Sequence, residues 1–530
     1  MSTNLIAIGP HRSPWRPAAL RAAVVVMAAV LSAYASAIWI EHRAHLHVDI
    51  VIAAVAMTMT LARVQLGADL RDRLTGTAVL AASAAGASEI SSLLLRYPFF
   101  GDAGFTAATA GAIWIRRFGT RATKAGTVVI VPFITLLVTQ DQHAPPHAAS
   151  YDLWCALIAL VAAFWVAVFQ LGAGALGFHE QRARQPAPTP LTTPSPATAK
   201  RVAASTRMAC QMAVALGAAF AVGHVAFHDH WPWAVLTAFI VCSGARGRGD
   251  VLHKGVLRAG GAAVGTVVAT AVSGAFPPAD RWSVVIIFAV LALASWLREI
   301  SYAYWAGSVT AALSLLYGYF GQSAPPLLAT RLEAIVVGAT VGIAASWYVL
   351  PVRTGDVLKR RMAEALAALS NFLAAPFGDR AEIRRRQAHF QHAVTQLEQI
   401  AKPLRAHRTL ARSAARADAI DAMHDCVGPV GTLADAFAVA DAPEWEPLRR
   451  AVASNVGAIR RALGGKPGAR YRSGVRAEGS TAGLALAALD AAMGRLDAIY
   501  GPPTAATPAA PQPIADAAMP AQHAPTAAQP

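Results

Sequence analysis

The chain contains the stretch HLHVDIVIAAVAMTMTLAR at residues 45–63 and a similar stretch, HDHWPWAVLTAFIVCSGAR, at residues 228–246. Both begin with His-x-His, continue through an apolar run and end in Ala-Arg at the same spacing. An Arg-x-x-Gly element follows each stretch, beginning at Arg73 and at Arg258. This recurrence predicts two similar halves, and a doubled set of apolar segments is typical of transporters.

Each stretch lies among about six apolar segments, in a chain of 530 residues that is 55% hydrophobic and only 14% charged. The longest segments could each cross a hydrocarbon core of about 30 Å: Ala22–Ile40, Leu153–Leu176, Val256–Phe276, Trp282–Leu297 and Leu332–Leu350. Shorter runs lie near 48–61, 74–95, 103–115, 125–139, 207–227, 231–243 and 302–320. The sequence therefore predicts an all-α membrane protein with two repeated six-helix transmembrane halves, about 12 spans, and a cytoplasmic helical domain.

The domain boundaries follow from shifts in composition. We predict a cytoplasmic N-terminus (1–20), a first transmembrane half (21–177), a flexible linker (178–206), a second half (207–351), a helical domain (352–501) and a disordered tail (502–530). The helical domain shows amphipathic periodicity over 356–375, 380–401, 412–440, 444–463 and 481–500. Ala35-Ser36-Ala37 resembles a signal-peptide cleavage site, but the apolar run continues through Ile40, so we expect an uncleaved first span.

The chain has a formal net charge of +16, and the distribution of its basic residues predicts its orientation in a membrane. Lys and Arg concentrate in alternate loops, which is the positive-inside pattern and predicts two cytoplasmic termini and parallel repeats. The clustered residues include Arg71, Arg116, Arg117, Lys124, Arg182, Arg248, Lys254, Arg353 and Arg360. We therefore expect the basic charge to face a lipid bilayer and not a nucleic acid.

The sequence carries no constellation typical of an enzyme. The four cysteines are scattered, without the spacing of a metal site or a disulfide framework. Its Gly-rich stretches do not complete a phosphate-binding loop, so we expect no cofactor and no metal. The GxxxG pairs at 261–265 and 338–342 predict close helix packing.

Three motifs carry a resemblance to a known family. Trp233-Ala-Val-Leu-Thr-Ala-Phe-Ile-Val, Arg258-Ala-Gly-Gly-Ala-Ala-Val-Gly and Arg331-Leu-Glu-Ala-Ile-Val-Val-Gly resemble the aromatic acid exporter, or fusaric acid resistance, family. The resemblance implies a bacterial inner-membrane efflux protein. It also implies partners, namely a periplasmic membrane-fusion protein and an outer-membrane channel. The sequence leaves open whether the protein is a homo-oligomer.

The runs at 48–61 and 231–243 are short for spans, and paired short segments predict a binding site at membrane depth. Charged or titratable residues lie at the beginning of these two runs: His45, His47, Asp49, His228 and His230. We assign these residues to proton coupling, and a metal site is the alternative for the four imidazoles. Ordinary interfacial capping of two tilted helices would explain the same pattern.

Charged residues inside or near apolar segments give two further candidates. Glu89 lies deep in the 74–95 run and is assigned as proton carrier, the alternative being a side chain that reaches the outer interface. Arg331 and Glu333 are assigned as an ion pair or gate at the outer end of the last span.

Four arginines are assigned to substrate binding: Arg63, Arg73, Arg246 and Arg258. Around an inner vestibule they would attract anions and bind carboxylates through the guanidinium fork. Topology signalling alone would also explain them. Tyr304, Trp305 and Tyr317 are candidates for stacking an aromatic substrate or, alternatively, members of an interfacial belt.

These observations predict an efflux transporter for aromatic carboxylates or related amphipathic anions, coupled to protons. Two alternatives stay open: a passive anion channel, and a non-transporting scaffold whose helical domain binds a soluble partner.

Overall fold

The computed structural model contains helices and no β-strand among the residues that it describes. Those residues are 17–46, 49–64, 70–139, 151–176, 203–244, 247–273, 277–298, 300–321, 325–351, 354–401, 404–405, 415–439, 445–468, 470–474 and 480–501. Most of the predicted N-terminal segment and linker, and all of the predicted tail, lie outside them.

Twelve α-helices lie between residues 17 and 348 of the described part of the chain. The first six are α1 Pro17–Ala44, α2 Asp49–Val64, α3 Leu70–Arg96, α4 Pro98–Trp114, α5 Thr120–Thr139 and α6 Tyr151–Ala175. The second six are α7 Ala204–Phe227, α8 Trp231–Cys242, α9 Arg248–Ser273, α10 Arg281–Leu297, α11 Tyr302–Tyr319 and α12 Pro325–Tyr348. Short 3-10 helices at Ile115–Phe118 and His228–His230 follow α4 and α7.

Six helical segments of the described residues are long and apolar enough to cross a membrane. They are Ala19–Ala44, Leu70–Arg96, Thr120–Thr139, Tyr151–Ala175, Ala204–Cys242, which includes both α7 and α8, and Leu327–Tyr348. Arg281–Leu297 is apolar but shorter. The chain is therefore a multi-pass membrane protein, and the number of about 12 spans stays a prediction.

The two helices that carry the repeated stretch are short. At about 1.5 Å per residue, the 16 residues of α2 span about 24 Å and the 12 residues of α8 span about 18 Å. Both fall below the roughly 30 Å of a hydrocarbon core. Nine of the twelve residues of α8 are buried, so this helix is enclosed by its neighbouring helices.

Most helix contacts recur in both groups of six, although α2 also packs on α5 and α3 on α4 in the first group without a counterpart of similar extent in the second. In the first group α1 packs on α2 and α6, α2 on α6, α3 on α5 and α6, and α4 on α5. In the second group α7 packs on α8 and α12, α8 on α12, α9 on α11 and α12, and α10 on α11. Between the groups α4 packs on α7, and α1 packs on α10. This recurrence supports a structural repeat, which remains a proposal.

A cluster of aromatic side chains joins the two groups. Phe105 of α4 lies 5.5 Å from Phe133 of α5 and 5.7 Å from Phe220 of α7, measured between ring centroids. Phe220 in turn lies 5.3 Å from Trp231 of α8. These edge-to-face and tilted contacts fix the groups together through burial of large apolar area.

Small residues allow α9 and α11 to approach closely. A Cβ atom at Gly261 would lie 2.5 Å from the carbonyl oxygen of Ala303, and Gly265 faces the backbone of Gly307. A Cβ atom at Gly338 of α12 would lie close to the carbonyl oxygen of Ala234 in α8. Both predicted GxxxG pairs therefore contain positions where only glycine leaves room for the neighbouring helix.

The rest of the chain is also helical: α13 Thr354–Leu373, α14 Arg380–Glu398, α15 Ala415–His424, α16 Val427–Phe437, α17 Glu446–Leu463 and α18 Thr481–Tyr500. The chain forms two compact units, residues 1–365 with 388–420 and residues 366–387 with 421–530. The prediction of one continuous helix over 412–440 is wrong. α15 ends at His424, and α16 begins at Val427. Pro429 lacks an N–H and is tolerated only in the first turn of a helix, so a new helix begins here.

The second unit has an aromatic core of its own. Phe437 stacks between Phe372 and Trp445, with centroids 5.3 and 5.4 Å away. The Arg449 guanidinium lies 4.7 Å from the ring of Phe377 and donates to the carbonyl of Leu373 at 2.6 Å. Glu446 accepts from both the Nε and an Nη of Arg449, at 2.5 and 2.8 Å.

Candidate functional site

A cavity of about 860 Å³ lies within the first unit, between the two groups of six helices. Its lining comes from α1, α2 and α5 of the first group and from α8 to α11 of the second. Along α2 the lining extends from Val51 to Val64, about 20 Å at 1.5 Å per residue. A cavity of this size, built by both groups, is the principal candidate for a ligand site.

The middle of the cavity is apolar. Met59 of α2, Leu236 of α8, Phe288 and Leu291 of α10 and Val309 of α11 contribute to this part of the lining. Such a surface favours a hydrophobic ligand body, since apolar area removed from water contributes about 25 cal/mol per Å².

Four cationic side chains line the end of the cavity formed by the first turns of α9 and the C-terminal ends of α8 and α10. They are Arg116, Lys254, Arg258 and Arg298. The Nζ of Lys254 donates to the carbonyl of Ser243 at 2.9 Å. Arg258 is only 3% exposed, and its Nε has no hydrogen-bond partner among the described residues. A guanidinium buried in this way offers a donor to an anion.

An indole contacts two guanidinium groups at this cationic end. The Cζ of Arg298 lies 4.5 Å from the Trp305 ring centroid, and the Cζ of Arg63 from α2 lies 4.7 Å from it. Both are cation–π distances. Trp305 lines the cavity and thereby links a residue of the first group to the second.

The opposite end of the cavity carries the one carboxylate among its described lining residues, Glu41. Its Oε2 lies 3.1 Å from the Nδ1 of His42. Tyr34 and Tyr319 line the same end, and Tyr34 packs on Phe288 at 4.7 Å. The cavity thus has opposite charge at its two ends and apolar walls between them.

The predicted substrate-binding arginines have different positions. Arg258 lines the cavity, and Arg63 contacts its Trp305. Arg73 is buried in α3 but does not line the cavity. Arg246 lies outside the described residues.

Glu89, the predicted proton carrier, does not line this cavity. It lies on the exposed face of α3, close enough to Asp152 of α6 for the two carboxyl groups to interact. This position agrees with the alternative, a side chain near the outer end of its helix. The proton-carrier role stays a prediction.

The first histidines of the two His-x-His elements share an unusual backbone conformation. His45 and His228 both have positive φ, 52° and 45°, directly after α1 and α7. His230 packs on Trp233 at 4.6 Å, and His47 lies outside the described residues. The described residues contain no group of three or more His, Cys, Asp or Glu that could hold a metal ion.

The structure does not bring Arg331 and Glu333 together as a pair, and a role as gate stays a prediction. Arg331 is 3% exposed, with its Cζ 5.6 Å from the ring centroids of both Trp233 and Tyr317, whereas Glu333 is exposed. Residues two apart on an α-helix point about 200° away from each other and do not face one another. Trp233 Nε1 donates to the Tyr317 hydroxyl at 3.2 Å, which closes an aromatic cage over the buried guanidinium.

Asp49 lines a smaller cavity of about 60 Å³ within the first group of helices. Its polar lining also includes Ser88, Ser91, Thr135 and Tyr151. This second site is separate from the large cavity, and both sites use residues of α2.

Two charged residues of the large cavity were not identified from the sequence. Arg298 follows the apolar run of α10 and Glu41 ends that of α1, where charged residues ordinarily mark the membrane interface. Arg116 and Lys254 were read only as topology signals. The adjacent Trp296 and the Glu41-His42 pair offered no local sign of a cavity.

The second group of helices provides the comparison with known proteins. Residues 214–345 match the family model described as fusaric acid resistance protein-like. This fusaric acid resistance protein-like segment includes Lys254, Arg258, Arg298 and Trp305, so it supplies most of the cationic end of the cavity. No curated protein and no solved structure matches the chain significantly. The match confirms the family resemblance seen in the sequence and is consistent with a membrane protein of transporter type.

Proposed function

We propose that this protein exports amphipathic organic anions, with aromatic carboxylates as the substrate class, across the bacterial inner membrane. The observation that carries the proposal is the 860 Å³ cavity with apolar walls and four cationic side chains at one end. A carboxylate would bind at Arg258, and its aromatic ring would lie against the apolar middle. Trp305, which contacts both Arg63 and Arg298, would form the boundary of the site.

The charge at the cavity ends favours one direction of transport. Under the positive-inside orientation, the cationic end faces the cytoplasm and the Glu41 end faces outward. Anions would be concentrated at the cytoplasmic end by the cationic potential, and the Glu41 carboxylate would oppose their return. Because the sequence has no nucleotide-binding loop, we propose a proton gradient as the energy source.

The partners in this proposal come from the family resemblance. A periplasmic membrane-fusion protein and an outer-membrane channel would receive the exported anion. Association of the chain with itself is compatible with the proposal and not required by it, since one chain supplies all the cavity residues described above.

Transport into everted membrane vesicles tests the proposal, because uptake into them corresponds to export from the cell. Radiolabelled benzoate is the anionic probe, and neutral benzamide has the same ring without the carboxylate. We expect benzoate uptake above that of vesicles without the protein, dependent on an acid interior and abolished by a protonophore. Benzamide uptake should not exceed the control.

Two other results would contradict the proposal in different ways. Benzoate flux that carries current and ignores the proton gradient would indicate a passive anion channel. Equal uptake with and without the protein, over a panel of aromatic and aliphatic carboxylates and in the presence of the periplasmic partner, would favour the non-transporting scaffold.

A further inference from the structure

A carboxylate and an imidazole meet where the two groups of six helices contact each other. The groups contact through α4 with α7 and through α1 with α10. At the first of these junctions, the Nε2 of His224 lies 3.1 Å from the Oδ2 of Asp102. His224 lies three residues before the end of α7, and Asp102 lies four residues after the start of α4. Both side chains are partly exposed, so protons can reach the pair.

The sequence repeat relates this junction to the other one. The two His-x-His elements begin 183 positions apart, at residues 45 and 228, and α4 and α10 also begin 183 positions apart, at residues 98 and 281. The same offset places Glu41 at the position of His224. It places Val285 at the position of Asp102. At the junction of α1 with α10, Glu41 lines the large cavity, whereas at the junction of α4 with α7 two titratable side chains contact each other.

The pair has room for a second proton. With one proton, Asp102 is a carboxylate, His224 is an imidazolium, and the net charge of the pair is zero. The Oδ1 of Asp102 is buried and has no hydrogen-bond partner among the described residues. A proton from water can therefore bond to this oxygen without breaking a hydrogen bond, and no other bond forms or breaks. The carboxyl group is then neutral, and its attraction to the imidazolium is lost.

Other titratable groups at this end of α4 and α7 lie on the elements packed against them. They are Glu89 and Arg96 of α3, Tyr97 between α3 and α4, His228, Asp229 and His230 after α7, and Arg331 and Glu333 of α12. The basic residues of α5 and of the 3-10 helix Ile115–Phe118 lie at the opposite end of α4, and α8 carries no charged residue. Among the described residues, His224 is the titratable group that interacts electrostatically with Asp102.

The pair adjoins the aromatic cluster that joins the two groups. The His224 ring packs on Phe220 and Trp231, with centroids 6.2 and 5.1 Å away. Asp102 lies one helical turn before Phe105 on α4. The remaining helices of this cluster, α5 and α8, also line the large cavity. A change in the contact between α4 and α7 would therefore reach the wall of the large cavity through directly packed rings.

We propose that Asp102 and His224 form the proton-binding site of the transporter. The positive-inside orientation places this end of α4 and α7 on the outer side. A proton from the outer solution would neutralise Asp102, weaken the contact between α4 and α7 and let the two groups separate where the exported anion leaves. The coupling role rests on the proposed export function, whereas proton binding by the pair does not.

Proton binding is measured on the purified full-length chain in detergent, without any transport substrate. Infrared difference spectra between neutral and acidic pH show the carbonyl band of each carboxyl group that takes up a proton, and subtraction of the Asp102→Asn spectrum isolates the band of Asp102. His224→Gln removes the neighbouring positive charge, so the Asp102 band should appear at higher pH. The matched control is Asp229→Asn, which changes an exposed aspartate after α7 and isolates a band that His224→Gln should leave unchanged.

Two infrared results would overturn the proton site. One is the lack of an Asp102 band between about pH 4 and pH 8, the range that spans the ordinary titration of Asp and His. The other is an Asp102 band that appears at the same pH with and without His224.

Coupling is measured as benzoate uptake into everted vesicles with and without an acid interior. Asp102→Asn keeps the shape of the side chain without a titratable group and should reduce stimulation by the gradient about tenfold, whereas Asp229→Asn should retain it. His224→Gln should raise the pH of half-maximal stimulation, a readout that serves even if Asp102→Asn does not fold. Full stimulation in Asp102→Asn would overturn the coupling role. An Asp102 band without benzoate uptake by the wild type would contradict the export function alone.

Discussion

The imidazole Nε2 of His224 in α7 lies 3.1 Å from the Oδ2 of Asp102 in α4. These two helices form the largest contact between the two groups of six. The His224 ring also packs on Trp231, with centroids 5.1 Å apart, while Asp102 Oδ1 is buried without a hydrogen-bond partner among the described residues. A partly buried polar pair thus joins the two groups beside their shared aromatic cluster.

We expect this pair to contribute a measurable coupling energy. Asp102→Asn, His224→Phe and the double variant form a double-mutant cycle, in which Phe retains the ring contact with Trp231. A hydrogen bond to a charged group contributes about 1.5–3 kcal/mol, so the single variants should lose more stability together than the double variant. Unfolding in SDS titrations gives the three free-energy differences.

The Glu41–His42 pair supplies a matched control at the same 3.1 Å separation. Its two residues are neighbours on one helix, and the His42 side chain is 81% exposed. Exposed pairs of this kind contribute little, so the corresponding cycle should give a coupling near zero. Equal coupling in both cycles would show that the pair between α4 and α7 has no special role.

Arg258→Gln should raise the KM for benzoate export about tenfold. One charge-assisted hydrogen bond is lost, the other cations of the cavity remain, and 1.4 kcal/mol corresponds to a factor of ten. Arg258→Lys should have an intermediate effect, since it keeps the charge but not the fork. Arg71→Gln, at an exposed position of α3, removes the same charge outside the cavity and should leave KM unchanged. If both Gln variants raised the KM equally, Arg258 would act only through the general positive potential of the protein surface and not by binding benzoate directly.

Trp305→Ala should weaken benzoate export more than Trp305→Phe. The indole contacts both Arg63 and Arg298, and each cation–π contact contributes about 0.5–2 kcal/mol. Without the ring, two like charges lose the surface that positions them. Trp282→Ala is the control, because Arg281 lies 5.9 Å from an exposed Trp282 that does not line the cavity. Initial uptake rates over a range of benzoate concentrations separate KM from the maximal rate.

The sequence predicts the helices well because apolar run length and charged ends are local properties. It predicts the shortness of α2 and α8 for the same reason. Contacts between distant helices are not local, so the cavity role of Arg298 and Glu41 could not be read from the flanking residues. A charge at the end of an apolar run has the same local pattern whether it faces lipid headgroups or a cavity.

Two site assignments show that spacing in the sequence does not determine which side chains meet in the folded protein. Arg331 and Glu333 are close in sequence, yet helix geometry turns them to different faces, and the partners of Arg331 are aromatic residues about 14 and 98 positions away. Arg73 and Arg258 occupy matching places in the repeated pattern, but only Arg258 lines the cavity. A repeat in sequence predicts equivalent positions and does not predict equivalent surroundings.

The exposed position of Glu89 leads us to expect that Glu89→Gln leaves proton-dependent benzoate export unchanged, against the proton-carrier role predicted from the sequence. Glu89 lies on an exposed face of α3 next to Asp152, away from both cavities described above, so its charge has no direct path to the substrate. Uptake into everted vesicles is compared with Asp102→Asn, which should lose the dependence on the gradient. Loss of gradient dependence in Glu89→Gln alone would assign the proton carrier to Glu89 and remove that role from Asp102.

The second unit should lose stability in acid through Glu446. Hydrogen bonds from Arg449, and then from Arg450, hold the pKa of Glu446 below its ordinary value. A carboxyl group with a depressed pKa in the folded state stabilises the fold above its unfolded pKa of about 4.3, and this contribution is lost as the pH falls through the depressed value. Glu446→Gln should therefore flatten the pH dependence below about pH 5.

Hydrogen exchange of the α17 backbone amides in the full-length chain measures this effect, after correction for the intrinsic pH dependence of exchange. Glu446 also holds Arg449 against Phe377 and the Leu373 carbonyl, so Glu446→Gln should lower protection at neutral pH as well. The control is Glu364→Gln, whose carboxylate pairs with Arg360 and Arg361 on an exposed face of α13, where ion pairs contribute little. An acid-induced loss of α17 protection that is the same in wild type and Glu446→Gln would show that other groups cause it.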